Sequence, residues 1–469
     1  MKYKIYTQHQ EYLADLHTPV AVYNKLRDHY PGALLFESAD YHDRTKNKSF
    51  ICIDPIANFE AKRKNYSYQI DGQEPVIKEA TEGKEVLASL QAFMGTFISA
   101  PTDFPIETMG LWGYSAFESV QYFEDIELNS RADVIKDNPD LKYQLFRYTI
   151  IFDHFKKSMY IVEHAFSDTK DSSGIDQVYA TIQASSYSHF HFNTVGEETS
   201  NTSDSRYMAM VESGIQHCKL GNTFQVVLSR EFRQEFKGDD FTLYRCLRNV
   251  SPSPYLFYLD YGDFKILGSS PESQLRVSDN IATINPIAGT VRRGDNIEED
   301  KVKAEALRAN PKEMSEHVML VDLARNDLSK SSSKVEVETY AEIQYFSQVI
   351  HLVSKVNGQL NEDKKGIDIY ADTFPAGTLS GAPKYRALQI IDEEESITRN
   401  FYGGAVGFFG FNGQVNHAII IRSILSKNNT LVYQAGAGIV IESSPEGELE
   451  EVNNKVRAIR LSIEKANQL

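Results

Sequence analysis

The sequence predicts a globular fold that mixes β-strands with α-helices, and three observations support this class. Short apolar runs predict strands at 33–36, 50–53, 148–152 and 159–162. Two later segments, from Asn310 and from Ser444, repeat apolar residues at the spacing of an amphipathic helix. Glycine-rich segments that are typical of turns in a β-rich region lie at 286–290, 374–384, 402–407 and 434–439.

The polar segment 186–205 predicts a linker between two parts of the chain. It is rich in Ser, Thr, Asn and Glu and poor in apolar residues, whereas motifs become dense after it. We therefore predict an N-terminal domain over 1–195 and a larger second domain over 196–469.

The first predicted helix covers 310–328 and carries two carboxylates on one face. Asn310 can cap its start, Pro311 suits its first turn, and Glu313 would complete a capping box. Glu313 and Glu316 are three residues apart and therefore share a face. The apolar positions that predict its core-facing side are Met314, Val318 and Val321.

The second predicted helix begins near Ser444 and also carries acids beside its apolar stripe. Glu448, Glu451 and Lys455 follow one another at helical spacing. For both helices, spacing alone favours solvated faces with intrahelical ion pairs worth only ~0.2–0.5 kcal/mol each. The alternative is that the helices converge and that one carboxylate from each holds Mg²⁺, an ion that accepts such a ligand set. The stripe consists of Leu449, Val452, Val456, Ile459 and Ile463.

The glycine-rich segments leave two interpretations open. Glycine lets a backbone N–H approach a ligand closely, and successive N–H groups can cradle an anion. The same residues also form ordinary hairpin turns and bulges. No segment matches a P-loop, and AGAG at 435–438 does not fit G-x-G-x-x-G, so a nucleotide-binding fold is not predicted.

Composition and charge exclude some classes of partner. The chain has 469 residues, of which 41% are hydrophobic and 24% charged, as in ordinary globular proteins. Lys and Arg number 49 and Asp and Glu number 65, which gives a net charge of −16. Nucleic acids and anionic membranes require a basic surface, so neither is expected as the main partner.

The compartment predicted by the sequence is the cytoplasm. The first ten residues lack the apolar segment of a signal peptide, and no apolar run approaches the ~20 residues that span a bilayer. The three cysteines, Cys52, Cys218 and Cys246, form no CxxC pair, so neither a disulfide framework nor a zinc site is expected.

A series of motifs occurs along the chain in a fixed order. They are GNTFQVVLSREF (221–232), SPSPYLFYL (251–259), GSSPE (268–272), PIAGTVRRG (286–294), SEHVMLVDLARNDL (315–328), QVIHLVSKVNG (348–358), FPAGTLSGAPKYRA (374–387), YGGAVGFFG (402–410), IIIRS (419–423) and QAGAGIVIESSPEGELEEVNNKVRA (434–458). These motifs resemble those of the chorismate-utilising enzymes, and most closely those of the synthase subunits of anthranilate synthases. The resemblance covers about 206–460, and before that only LLFESAD (34–40) and LWGYSAFE (111–118). It implies an α+β fold with large antiparallel sheets stacked between helices and a smaller N-terminal domain.

The resemblance implies that chorismate and ammonia are converted to anthranilate and pyruvate. It implies Mg²⁺ held by Glu316 and Glu451, with Glu313 and Glu448 close around that ion. The implied catalytic residues are His351 for pyruvate elimination, Glu272 near the departing hydroxyl and Thr378 beside the substrate. The implied substrate contacts are Gly289, Thr290, Tyr402, Arg422, Gly436, Ala437, Gly438 and Lys455.

Two positions separate members of this family. Relatives that add water use a lysine base on the strand where this chain has Gln225, and glutamine cannot act as that base. Aminodeoxychorismate synthases carry a lysine nucleophile where this chain has Ala288, which can form no covalent intermediate. Direct addition of ammonia is therefore the main hypothesis. The alternatives are an aminodeoxychorismate synthase and a non-catalytic relative that binds chorismate or tryptophan.

The resemblance also bears on partners and regulation. No cysteine lies in the glycine-flanked turn that a glutaminase nucleophile needs, so ammonia would come from free ammonium or from a separate glutamine amidotransferase subunit. L-Tryptophan is implied as a feedback inhibitor, although Ser251 stands where related subunits have Asn, and packed strand ends are the alternative interpretation. The implied inhibitor contacts are Glu37, Ser38, Pro254, Tyr255 and Leu256.

Overall fold

The structure is a computed structural model that describes residues 2–38, 47–104, 108–129, 131–168, 173–184, 190–345 and 349–469. Its strands are β1 (Tyr3–Leu13), β2 (Leu34–Glu37), β3 (Lys48–Lys62), β4 (Asn65–Ile70), β5 (Val76–Glu79), β6 (Phe97–Ser99), β7 (Gly110–Ser115), β8 (Leu141–Asp153), β9 (Ser158–Ala165), β10 (Phe192–Ser200), β11 (Gln225–Gly238), β12 (Tyr255–Asp260), β13 (Phe264–Ser270), β14 (Ser273–Ser278), β15 (Ile281–Ile284), β16 (Ile287–Arg292), β17 (Ser332–Tyr345), β18 (Val349–Leu360), β19 (Gly381–Ala382), β20 (Ala405–Gly410), β21 (Val415–Ile419), β22 (Ser423–Lys427) and β23 (Thr430–Ile439). Its α-helices are α1 (Pro19–Leu26), α2 (Gly83–Met94), α3 (Ser173–Gln183), α4 (Asp204–Lys219), α5 (Asp240–Val250), α6 (Ile297–Ala309), α7 (Pro311–Ser329), α8 (Gly366–Thr373), α9 (Gly377–Ser380), α10 (Lys384–Glu394) and α11 (Pro445–Ala466).

Two mainly antiparallel sheets share the long strand pair β3–β8. The first sheet has the order β10-β11-β23-β22-β13-β12-β2-β3-β8-β9-β1, with β6 added to β1 in parallel. The second has the order β5-β4-β3-β8-β7-β20-β21-β14-β15-β18-β17, and β16 pairs with β18 beside β15. β3 serves both sheets by shifting register between Pro55 and Ala57, next to Asp54 with a φ of 59°. The predicted α+β fold with large antiparallel sheets is confirmed.

The segment 186–205, predicted as a linker, contains a strand. Residues 186–189 lie outside the described part of the chain, residues 192–200 form β10, and Asp204 begins α4. β10 pairs with β11 at an edge of the first sheet and leaves most of its side chains exposed, which explains its polar composition. The boundary between 1–195 and 196–469 falls inside this strand and stays a prediction.

An apolar core joins residues from both sides of that boundary. Buried side chains such as Ile51, Tyr143, Leu228 and Val456 belong to one contiguous cluster. The strands predicted at 33–36, 50–53, 148–152 and 159–162 are confirmed, since β2, β3, β8 and β9 overlap these runs. Among the described helices, none combines the length and the apolar character that crossing a membrane requires.

The first predicted carboxylate helix is confirmed as α7, with two corrections. The Asn310 side chain accepts from Lys312 N at 3.0 Å, but the capping box is wrong because Asn310 N donates to Leu307 O. Val318 is 42% exposed, because α7 packs on the second sheet through the neighbouring positions. The apolar residues that pack inward are Met314, Leu320, Val321, Ala324 and Leu328.

The second predicted carboxylate helix is confirmed as α11. The Ser444 hydroxyl caps it by accepting from Gly447 N at 3.3 Å. Leu449 is partly buried, and the other four residues of its predicted stripe are fully buried. The stripe leaves Glu448 and Glu451 at the side of the helix, where the site described below is formed.

Glu118, in the 3₁₀-helix Phe117–Tyr122, is a buried acid whose replacement should stabilise the fold. Burial, with a smaller contribution from Asp140, raises the pKa of Glu118 from 4.5 to about 7. The native state then holds a proton that the unfolded state has released, so the free energy of unfolding falls as the pH rises between these values. At a pH above about 7, we expect Glu118→Gln to raise the free energy of unfolding by up to about 3 kcal/mol. At a pH below 4.5, the increase should be much smaller. Urea unfolding on either side of the interval measures both effects, and equal effects would contradict the prediction.

Candidate active site

A cavity of about 870 Å³ is lined by α7, α11 and the strands β16, β18 and β23. This is the size of a small-molecule site. Ala437, predicted as a contact, is not on its wall but is fully buried opposite Leu228 of β11. Glu313 also lies outside the wall, although a Cβ built on Gly289 would lie 3.1 Å from its Oε2. The predicted residues on the wall are Glu272, Gly289, Thr290, Glu316, His351, Thr378, Tyr402, Arg422, Gly436, Gly438, Glu448, Glu451 and Lys455.

The two carboxylate helices converge on this cavity. Burial raises the pKa of Glu316, and repulsion by Glu313 and Glu451 adds to that effect. Burial likewise raises the pKa of Glu448, whose Oε2 is buried with no hydrogen-bond partner among the described atoms. The Oε1 of Glu451 accepts from Lys455 at 2.7 Å. The site therefore concentrates negative charge that a cation would compensate.

The donor set at this convergence fits Mg²⁺. Within the described residues, no group of three or more His, Cys, Asp or Glu side chains is arranged to hold a metal ion. A cation held by Glu316 and Glu451, which line the cavity from the two helices, would fill its remaining positions with water and substrate oxygens. Mg²⁺ is the common ion that is bound in this way.

The segment 434–439 is a strand, although its glycines predicted a turn. It forms the end of β23 and pairs with β11, where a Cβ on Gly436 would lie 2.8 Å from Leu228 O and one on Gly438 would displace the end of the Gln225 side chain. Gly436 makes backbone hydrogen bonds to side chains outside β11. Its N–H donates to the Tyr402 hydroxyl, and its carbonyl accepts from Lys455 Nζ at 2.8 Å. Small residues are thus needed because the strand approaches both β11 and the cavity closely.

His351 lies on β18 opposite a bulge of β16. The bulge is at Gly289, whose φ of 69° favours glycine. His351 Nδ1 is 3.0 Å from Gly289 O and 3.1 Å from Thr290 Oγ1. A carbonyl can only accept, so Nδ1 carries the proton and Nε2 is the basic nitrogen. Burial lowers the pKa of His351, which keeps the ring neutral near pH 7.

Glu272 follows β13 and is the acid with the strongest shift in the cavity. Burial raises its pKa to about 7, although a hydrogen bond from Thr378 and the charge of Lys455 oppose this. Thr378 Oγ1 donates to Glu272 Oε1 at 3.0 Å. Glu272 therefore has a protonated fraction near neutral pH, as a general acid requires.

Arg422 supplies positive charge on the wall of the cavity. It is half-buried, and its backbone has a φ of 50°. Burial lowers its pKa, while Tyr402 and Glu451 act in the other direction. A guanidinium in a cavity is suited to bind a carboxylate with two parallel hydrogen bonds.

The residues predicted to hold an inhibitor lie at adjoining strand ends. Glu37 ends β2 and pairs with Leu256, near the start of β12. Its carboxylate accepts from Tyr244 at 2.7 Å and from Arg248 at 2.9 and 3.0 Å. Tyr244 and Arg248 were not predicted, because they lie on α5, 207 and 211 residues from Glu37, and no local pattern links them to that acid.

The other predicted inhibitor residues border the same region. Ser38 donates to Asn47 Oδ1 at 3.1 Å, and residues 39–40 of the motif lie outside the described residues. Tyr255 begins β12, while Pro254 and Ser251 line the cavity. The strand ends are therefore packed together, and the inhibitor site stays a prediction.

Comparisons with known proteins agree over nearly the whole chain. The family model described as chorismate binding enzyme matches residues 19–461. Anthranilate synthase component 1 of Neisseria meningitidis serogroup B is 37% identical over 96% of this chain and 93% of its own length. The protein of that name from Acinetobacter calcoaceticus is 34% identical over 97% and 94%. The solved structure of anthranilate synthase component I from Streptococcus pneumoniae has a TM-score of 0.77 and 29% identity, covering 96% of this chain and 99% of its own.

Proposed function

The chain belongs to the chorismate binding enzyme family, and we propose that it combines chorismate with ammonia to form anthranilate and pyruvate. The observation that carries this proposal is the meeting of Glu272, His351 and the acids of α7 and α11 in one cavity. Gln225 and Ala288 line the same cavity, so the two positions that separate the family's activities lie where the substrate would bind. The curated relatives' name supports the same reaction.

The chain's cationic groups would bind the two carboxylates of chorismate. Arg422 is placed to pair with one carboxylate, while Lys455, held by the Gly436 carbonyl at 2.8 Å, would donate to the other. Mg²⁺, held by Glu316 and Glu451 beside Glu313 and Glu448, would supply charge stabilisation to a substrate carboxylate. These contacts fix the ring relative to Glu272 and His351.

The first chemical step requires a proton donor. Ammonia forms a bond to ring carbon 2, the double bonds shift, and the bond from carbon 4 to its hydroxyl breaks. Glu272 gives its proton to that hydroxyl, which leaves as water, and its pKa of about 7 suits this transfer. Thr378 holds the resulting carboxylate by its hydrogen bond.

The second step requires a base. His351 Nε2 takes the proton from carbon 2, the electron pair aromatises the ring, and the bond between ring and enolpyruvyl oxygen breaks. The departing enolpyruvate takes up a proton and becomes pyruvate. The bond from Nδ1 to Gly289 O orients the ring for this transfer.

A product assay tests the proposed function. Purified protein is incubated with chorismate, Mg²⁺ and ammonium, and the products are identified by mass spectrometry, with pyruvate measured separately. We expect anthranilate and pyruvate in equal amounts. Aminodeoxychorismate without pyruvate would instead show the synthase alternative, and binding of chorismate without turnover would show the non-catalytic one.

We propose that ammonia reaches this chain from a separate glutamine amidotransferase subunit. Burial raises the pKa of the thiols of Cys52, Cys218 and Cys246, which disfavours the thiolate that a glutaminase requires. We expect the isolated chain to form anthranilate from ammonium but none from glutamine, and to use glutamine once an amidotransferase subunit is added. Efficient turnover of glutamine by the isolated chain would contradict this prediction.

We propose that L-tryptophan inhibits the enzyme at the adjoining ends of β2 and β12. Glu37 is held by Tyr244 and Arg248, and Ser251 and Pro254 connect this region to the cavity wall. We expect tryptophan to lower the initial rate and Glu37→Gln to weaken that inhibition. Ser251→Asn is the matched variant, expected to strengthen it. Absence of inhibition at millimolar tryptophan would exclude the site.

A further inference from the structure

A buried ion pair lies beneath the wall of the cavity. Arg399 and Glu395 are 1% and 2% exposed. Arg399 Nε is 2.9 Å from Glu395 Oε2, and Nη2 is 2.5 Å from Glu395 Oε1. Neither residue reaches the cavity itself, and neither belongs to the predicted site.

The remaining donors of Arg399 hold segments that do line the cavity. Its Nη1 donates to Leu379 O at 2.7 Å, and its Nη2 donates to Val227 O at 2.7 Å. Its guanidinium carbon also lies 5.7 Å from the centre of the Tyr402 ring. Leu379 directly follows Thr378, the residue that donates to Glu272.

Glu395 connects the pair to the opposite strands. Its Oε1 accepts from the backbone N–H and the hydroxyl of Ser229, at 2.8 and 2.7 Å. The Ser229 hydroxyl accepts from Gln434 Nε2 at 2.7 Å, and Gln434 lies on the cavity wall of β23. One ion pair therefore contacts α9, β11 and, through Ser229, β23.

We propose that Arg399, held by Glu395, is a positioning residue that fixes Leu379 so that Thr378 donates to Glu272. The proposal rests on the proposed function for its effect on turnover. Stability alone is a poor reason for such a pair, because desolvation of two buried charges offsets much of their attraction. A guanidinium instead offers several donors in one rigid plane, and here it bonds to two cavity segments, α9 and β11, and to Glu395 at the same time.

Arg399→Lys tests this role because it keeps the charge and removes the planar fork. We expect kcat to fall about tenfold or more, since a small displacement of catalytic groups is costly. KM should stay within about twofold, because Arg399 does not contact the substrate. The same change combined with Thr378→Val should lower kcat no further than the more severe of the two single changes, because both act on the donation to Glu272. The matched control is Arg27→Lys, which removes a guanidinium from the pair with Asp239 at 2.6 and 3.0 Å, away from the cavity, and should leave kcat unchanged.

Several results would overturn the proposal. A wild-type kcat in Arg399→Lys, or additive losses with Thr378→Val, would show that the pair is only structural. If Arg399→Lys does not fold, Ser229→Ala keeps the ion pair and removes one donor. Ser229→Ala should lower kcat severalfold, and combined with Thr378→Val it should lower kcat no further than Thr378→Val alone. An unchanged kcat in Ser229→Ala would also overturn the proposal.

A crystal structure separates this proposal from the proposed function, because it requires no turnover. In Arg399→Lys, or in Ser229→Ala as the second variant, the Thr378 Oγ1 to Glu272 Oε1 distance should exceed the hydrogen-bonding limit of about 3.5 Å. An unchanged distance would overturn the positioning role. Absence of anthranilate from the wild-type protein would overturn the proposed function. The distance between Thr378 Oγ1 and Glu272 Oε1 in the variants would still test the positioning role.

Discussion

Glu316→Gln is expected to abolish the Mg²⁺-dependent formation of anthranilate. The carboxylate lies in the cavity beside Glu313 and Glu451, where the proposed cation would compensate their repulsion. An amide is neutral and would bind Mg²⁺ far more weakly than a carboxylate, so we expect the rate to fall by more than about 100-fold. Chelation of Mg²⁺ in the wild-type protein should cause a loss of similar size that added Mg²⁺ reverses.

The control for this variant is Asp322→Asn on the same helix. Asp322 is exposed and pairs with Arg325 at 2.9 Å on the outer side of α7. Its neutralisation should leave the rate and its Mg²⁺ dependence unchanged. Full activity of Glu316→Gln, or activity of the wild-type protein in excess chelator, would contradict the assigned metal site.

His351→Gln is expected to separate the two chemical steps. Without the basic Nε2, the proton on carbon 2 is not removed, so we expect anthranilate and pyruvate formation to fall about 100-fold. Addition of ammonia does not need this base, so chorismate should still be consumed and an aminated intermediate that retains the enolpyruvyl group should accumulate. Mass spectrometry identifies the intermediate, and a coupled assay measures pyruvate.

The control for this variant is His217→Gln, a histidine on α4 that is not on the cavity wall. It should form both products at the wild-type ratio. Equal losses of chorismate consumption and pyruvate release in His351→Gln would show that His351 acts before elimination, which would contradict the assigned step.

Local sequence patterns predicted much of this site because its residues lie in short motifs. The caps at Asn310 and Ser444 fixed where α7 and α11 begin, and helical spacing then placed their acids on one side of each helix. The resemblance supplied the pairing of those helices, which spacing alone did not favour. Val318 was misassigned because a helix face can rotate by one position without changing its apolar spacing.

Contacts between distant segments could not be predicted in the same way. Arg248 bonds to Glu37 across 211 residues, and Arg399 bonds to Val227 across 172. Such partners are set by sheet order, which hydrophobic periodicity does not encode. The segment 434–439 was wrongly predicted as a turn for a related reason. Its small residues allow two backbones to approach closely, and a sequence rich in such residues is equally typical of a turn and of a crowded strand.

The pair β3–β8 has a consequence for cooperativity. Both strands lie before residue 196, yet each sheet that carries cavity residues runs through them. A chain that begins at 196 would lose the common seam of both sheets and expose two unpaired edges, so the catalytic part cannot melt independently of the N-terminal third. Substitutions that weaken the pairing of β3 with β8 should therefore destabilise both parts of the protein together, and unfolding should remain a single transition.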